Sequence, residues 1–153
     1  MRLVLGRMAI ASLTFLAGCS VPMISGVTDP DFQREIQIQQ TWQLQPGNRV
    51  ADRLVLAGLG DISLELNGQA AAPFTGKAEI NSQGCVLFTG ADVPAYLFRL
   101  CGLERPRLGH LKQGEAIGSG KILHVATLRK QPDGSWTIVE PDQELLMRLL
   151  PKP

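Results

Sequence analysis

Aromatic residues are scarce in this chain: 5% of its 153 residues. Charged residues reach only 19%, and neither sign prevails, with 15 Lys and Arg against 14 Asp and Glu. A nucleic-acid binder needs a basic patch to neutralise phosphates, so this balance excludes nucleic acid as the expected partner. Histidine occurs twice and cysteine three times, which leaves few soft donors for a metal ion. No apolar run reaches the roughly 20 residues that a membrane-spanning helix requires. What the chain does have is 44% hydrophobic residues, 16 Gly and 10 Pro. That is enough apolar material for one domain with a real core. The density of turn formers and the low charge speak for a turn-rich β domain, and against coiled coil, long helices or intrinsic disorder.

The first residues read as a processing segment. Arg2 and Arg7 make a positive beginning, Met8 to Leu16 is a short apolar stretch, and Leu16-Ala17-Gly18-Cys19 follows. A cationic start, a short apolar run and small residues mark a secretory signal. The tetrapeptide resembles the lipobox of bacterial lipoproteins. The resemblance implies cleavage after residue 18, lipid on the thiol of Cys19 and acylation of the new amino terminus. Two or three acyl chains anchor a protein stably where one does not. The alternative is an ordinary signal peptide with a chance cysteine. Residues 1–18 are therefore expected to be a signal peptide and 19–31, with Pro22, Gly26 and Pro30, a linker. Residues 32–153 are expected to form a single β-rich domain facing the periplasm. Ser20, in place of Asp after the lipidated cysteine, slightly favours the outer membrane.

Export also bears on the remaining thiols. Cys85 precedes the strand-like Val86-Leu87-Phe88, and Cys101 follows Tyr96 to Leu100. A hairpin turning at Ala91 to Pro94 would set the two thiols face to face, in a compartment where thiols pair. Such a bridge would close a loop of about 15 residues and stabilise by roughly 3 kcal/mol in the chain-entropy model. Two free buried thiols remain the alternative.

Periodicity gives the elements. Ile36, Ile38, Trp42 and Leu44 share one parity, as do Ile62, Leu64 and Leu66. Pro46-Gly47-Asn48 predicts a turn, Asn67-Gly68 a hairpin turn, and Pro132-Asp133-Gly134 a tight turn. Strands are expected at 76–80, 86–88, 96–100, 121–128 and 135–139. One helix is expected from Asp142 as N-cap, with Leu145, Leu146, Leu149 and Leu150 as its apolar face and Pro151 as its stop. Many short strands with regular turns predict a β barrel or sandwich.

The segment Arg107-Leu-Gly-His-Leu-Lys-Gln-Gly-Glu-Ala-Ile-Gly118 resembles a loop and strand of lysostaphin-type (LytM-like) zinc endopeptidases. More broadly it resembles barrel-sandwich hybrid domains such as biotinyl carriers and the glucose-specific phosphotransfer protein. Ala72-Pro73-Phe74-Thr75-Gly76, Tyr96 to Leu100 and Leu123 to Arg129 follow the order of the peptidase pattern, and coverage runs over about 58–146. The resemblance implies a mostly β, small barrel-sandwich hybrid-like domain, here with one short C-terminal helix. It also implies a zinc site held by His, Asp and His, in which Asp61 and His124 match ligand positions. Ala57, Phe98 and Ile122 replace the other expected residues. Two donors cannot make a three-ligand site unless His110 is recruited. The resemblance thus points to a domain without catalytic residues, metal or cofactor, retaining a vestigial groove of Asp61, Phe98 and His124. Its expected work is binding, as an adaptor for an envelope protein or for peptidoglycan. The alternatives are a zinc-dependent cell-wall hydrolase using Asp61, His110 and His124, and a purely structural lipoprotein.

Plainer readings stand beside these. His124 lies in an apolar run and fits a hydrogen-bonded core histidine; His110 fits a solvated loop, and Asp61 beside Gly60 a turn. The Gly114, Gly118 and Gly120 series lacks the Gly-Lys-Ser/Thr ending of a phosphate loop. No serine sits in Gly-x-Ser-x-Gly. Arg99, Arg105 and Arg107 could form an anion patch or a solvated loop.

Overall fold

The computed structural model describes residues 42–151. The expected signal peptide, Cys19, the linker, and Ile36 and Ile38 lie outside the described residues. Among the described residues nine strands and one helix follow in order: β1 (Arg49–Val50), β2 (Arg53–Leu59), β3 (Asp61–Ala71), β4 (Gly76–Ile80), β5 (Val86–Thr89), β6 (Tyr96–Cys101), β7 (Gly109–Leu111), β8 (Ala116–Lys130), β9 (Trp136–Val139) and α1 (Gln143–Leu149). The domain is mostly β with one short C-terminal helix, and all strand pairs are antiparallel.

The strand order is β1-β2-β3-β8-β6-β5-β4-β7, with β9 beside β8. This sheet is not a closed barrel, because its first and last strands do not pair. Of the barrel and sandwich arrangements expected from turn spacing, the barrel is therefore corrected. Closure requires the end strands to meet in register, and β1 and β7 have only two and three residues with which to do so.

The fifteen residues of β8 organise the rest. Along one edge they pair with β3, from Ile62↔Val125 to Ala71↔Ala116. Along the other they pair with β6, from Tyr96↔Arg129 to Cys101↔His124. Strand β9 continues the β3 side, with Thr127↔Val139 to Lys130↔Trp136. Alternation then fixes the faces: Ile62, Leu64 and Leu66 are fully buried, together with Leu123, Val125 and Leu100. Asn67-Gly68 is not a hairpin turn. Strand β3 runs straight through it, and the register against β8 shifts between Glu65 and Gly68, with Asn67 at φ +44. The left-handed residue that would serve a two-residue turn serves a bulge instead.

The helix begins where its cap predicts. Asp142 Oδ1 accepts from Glu144 N at 2.9 Å and Leu145 N at 3.2 Å, a cap worth about 1 kcal/mol. Leu146 and Leu149 are buried on its inner face, each contributing about 1.5–3 kcal/mol. Pro151 follows the C-cap Leu150 and has no N–H to extend the helix. Trp42 and Leu44 are buried without belonging to a strand, and Leu44 N donates to Glu140 Oε1 at 2.7 Å. In the turn before β9, Ser135 donates to Asp133 Oδ1 from both its hydroxyl and its N–H. These bonds hold the Asp133 carboxyl below the usual carboxylate range.

Candidate functional site

The residues singled out by sequence fall on both faces of the central strands. Along β3, Asp61 and Ser63 alternate with the buried Ile62 and Leu64, so they point to the face opposite the core. Ser63 pairs with His124, and His124 with Cys101, which puts Ser63, His124 and Cys101 in one row across three strands. The next row holds Asp61, Ala126 and Arg99, since Arg99 is the partner of Ala126 and Ile62 the partner of Val125.

Within these rows the polar groups pair with one another, while the buried Nε of Arg99 has no hydrogen-bond partner. Arg99 Nη2 donates to both oxygens of Asp61, at 2.7 and 2.9 Å. The two residues sit on strands either side of β8, and their ion pair passes over Ala126, which has no exposed surface. Ser63 Oγ and His124 Nδ1 are hydrogen-bonded at 2.7 Å. Cys85 and Cys101 form a disulfide across the open end of the β5–β6 hairpin, with Cα atoms 4.4 Å apart.

Phe98 is elsewhere. Three residues before Cys101 on a regular strand, it faces the core, 4% exposed, with its ring 5.4 Å from Phe74 and stacked along Tyr96 at 6.4 Å. Asp61 and His124 therefore share a face, and Phe98 does not join them. An odd spacing along a strand reverses the side chain, and the register that exposes this parity belongs to the fold. His110 is on β7, four strands from β8 in the sheet order, with Lys77 as its partner.

A zinc site of the kind the resemblance implies does not fit these residues. Both oxygens of Asp61 are engaged by a guanidinium, and one nitrogen of His124 by Ser63. A metal at this point would have to displace a cation and would stand beside it. Among the described residues no three His, Cys, Asp or Glu side chains gather as a ligand set. Nor does the Ser63–His124 pair make a hydrolytic triad. Among the described residues no carboxylate is hydrogen-bonded to the His124 ring, Asp61 being paired with Arg99, and Ser63 lies inside a ladder between Ala57 and His124 rather than on a sharp turn.

The same strands border a cleft of about 310 Å³ on the core side, at the end near the helix. Val93, Tyr96, Phe98, Thr127 and Leu145 line it, with Arg129 and Asp142 also bordering it. Its volume lies at the lower end of the range for small-ligand sites. Sequence reasoning missed Thr127 and Leu145 as neighbours of Phe98. The signal was the shared parity of 96, 98, 127 and 139, readable only once β6, β8 and β9 are known to adjoin.

Comparison with protein-family models, with curated proteins and with solved structures gave no match. Among the described residues, no helix is long and apolar enough to cross a membrane.

Proposed function

We propose that this chain is an exported lipoprotein with a non-catalytic binding or adaptor module. It is held through lipid on Cys19 to a bacterial membrane, facing the periplasm, with the outer membrane favoured. Its partner is an envelope protein or peptidoglycan, as the resemblance to lysostaphin-type domains implies. The observation that carries the non-catalytic part is the Asp61–Arg99 ion pair, which engages both oxygens of the carboxylate. Each candidate ligand is hydrogen-bonded to a side chain on another strand, Arg99 for Asp61 and Ser63 for His124. A carboxylate that acts as acid, base or metal ligand must present a free oxygen to its substrate or ion, whereas Asp61 ties β3 to β6 through Arg99, and Ser63 holds Nδ1 of His124.

The test joins anchoring to binding. The full chain and Cys19→Ala are expressed in a bacterial host, fractionated, and analysed by mass spectrometry of the amino-terminal peptide. The wild type is expected in the membrane fraction with a diacylated and N-acylated Cys19, and C19A is expected to be released. Crosslinking in intact cells and cosedimentation with purified sacculi then identify the partner. An unmodified Cys19 thiol would refute the anchor. Cleavage of sacculi by the purified protein, abolished in His124→Ala, would refute the non-catalytic reading.

A further inference from the structure

After β6 the chain does not leave the sheet but lies back across β8. Glu104 N donates to Ser119 O and Arg107 N to Ile117 O, both at 2.6 Å. Glycine makes this approach possible. A Cβ on Gly120 would stand 2.4 Å from Gly102 O, and one on Gly118 would stand 3.3 Å from Leu103 Cβ and 3.4 Å from Pro106 Cα. The Gly118-Ser119-Gly120 run is thus the bed for an arginine-bearing loop. Arg105 within it has φ +46, a left-handed conformation that residues with a Cβ adopt uncommonly and keep only where their surroundings impose it.

The loop and the sheet border an open pocket of about 210 Å³, lined by Gln69, Arg105, Arg107, Ala116, Gly118 and Ser119 among others, with Gln69, Arg105 and Arg107 exposed. Among the described residues Arg105 has no ion-pair partner. Arg107 approaches Glu115 Oε1 at 3.3 Å, with both side chains solvent-accessible, a pair that water screens heavily. Glu115 does not depend on it, because its Oε2 accepts from Lys112 N at 2.6 Å. Arg105 and Arg107 are the charged side chains that line the pocket.

We propose that this pocket binds the C-terminal carboxylate of a peptide. Two guanidinium groups offer planar forks that match a carboxylate. The Gln69 amide and the Ser119 hydroxyl supply a donor and acceptors for the peptide group that adjoins a C-terminal carboxylate and that a simple anion lacks. Ala116, with only a methyl group, leaves space for a small terminal side chain. This deepens the binding-module reading by naming a ligand, and it rests on that reading only for where the ligand is met in the cell.

The test uses the full chain in detergent micelles, labelled with ¹⁵N, and two probes, N-acetyl-Ala-Ala and its C-terminal amide. The acid is expected to give saturable shifts at the Gln69 side-chain amide and the Arg105 and Ser119 backbone amides. The neutral amide, and the variants Arg105→Gln and Arg107→Gln, are each expected to bind roughly tenfold more weakly. Lys130→Gln, outside both pockets, is expected to leave binding unchanged. Absence of saturation by about 10 mM, equal binding of acid and amide, or shifts elsewhere would overturn the proposal. So would inorganic phosphate binding as well as the acid, which would make the pocket a general anion site. Binding of the acid by a chain that captures neither sacculi nor an envelope protein would leave this site standing and remove the adaptor role; the reverse result would do the opposite.

Discussion

Ala126 shows how a residue without functional chemistry sets the geometry of residues that have it. Asp61 and Arg99 are on strands separated by β8, and their bond at 2.7 Å crosses directly over the Ala126 methyl group. A larger side chain there must either push the pair apart or bend out of a favoured rotamer. Ala126→Leu is expected to lower stability by about 1–3 kcal/mol, measured by urea unfolding. Unchanged stability would show that the ion pair does not span the strand as described. At this scale the sequence was informative in one direction only. It marked Asp61 and His124 as candidates by type and position, but their partners, Arg99 and Ser63, lie 38 and 61 residues away in the chain. No local pattern links residues so far apart.

Among the elements, β8 was only half legible. Its apolar stretch at 121–128 reads as a strand, whereas its first residues, Ala-Ile-Gly-Ser-Gly, fall outside the expected strand, where glycine weakens the strand pattern. Tertiary context overrides that preference: Gly118 and Gly120 are needed where the 102–108 loop crosses, and the strand is held by β3 on its other edge. Gly120→Ala is therefore expected to destabilise the domain by about 1–3 kcal/mol, since the added Cβ would meet a backbone carbonyl that cannot rotate away. A thermal midpoint equal to that of the wild type would contradict the close approach. The helix lies at the other extreme. Asp142, the leucine spacing and Pro151 specify both its ends by contacts within ten residues, and the observed limits agree with that reading. Strand β2, by contrast, has no clean alternation; it is paired with β3 through a register shift at Val55 to Ala57, which a period-two pattern cannot express.

The whole domain is one antiparallel sheet in which long-range pairing predominates, so its stability depends on links that shorten the unfolded chain's freedom. The Cys85–Cys101 disulfide is such a link, with a sequence separation of 16. Its reduction, or the double variant Cys85→Ser with Cys101→Ser, is expected to cost about 3 kcal/mol, read as a fall in the urea midpoint with a steeper slope, because the released chain unfolds to a more open state. Equal midpoints with and without reductant would refute the estimate. The sheet's ends illustrate a second property of the whole. Turn spacing alone suggests closure, but closure depends on whether β1 and β7 meet, and nothing in either short segment encodes that.

The amino-acid sequence by itself determined that this is a β-rich domain, and where most of its strands and the one helix among the described residues fall. Those properties follow from periodicity, turn chemistry and capping, all of which act over a few residues. Only the tertiary structure decided that Phe98 faces away from Asp61 and His124, that those two are tied to Arg99 and Ser63, and that Arg105 and Arg107 share a pocket with Gln69 and Ser119. Each of these depends on strand register, and register is set by the summed burial of the whole sheet: a shift of one residue exchanges its two faces.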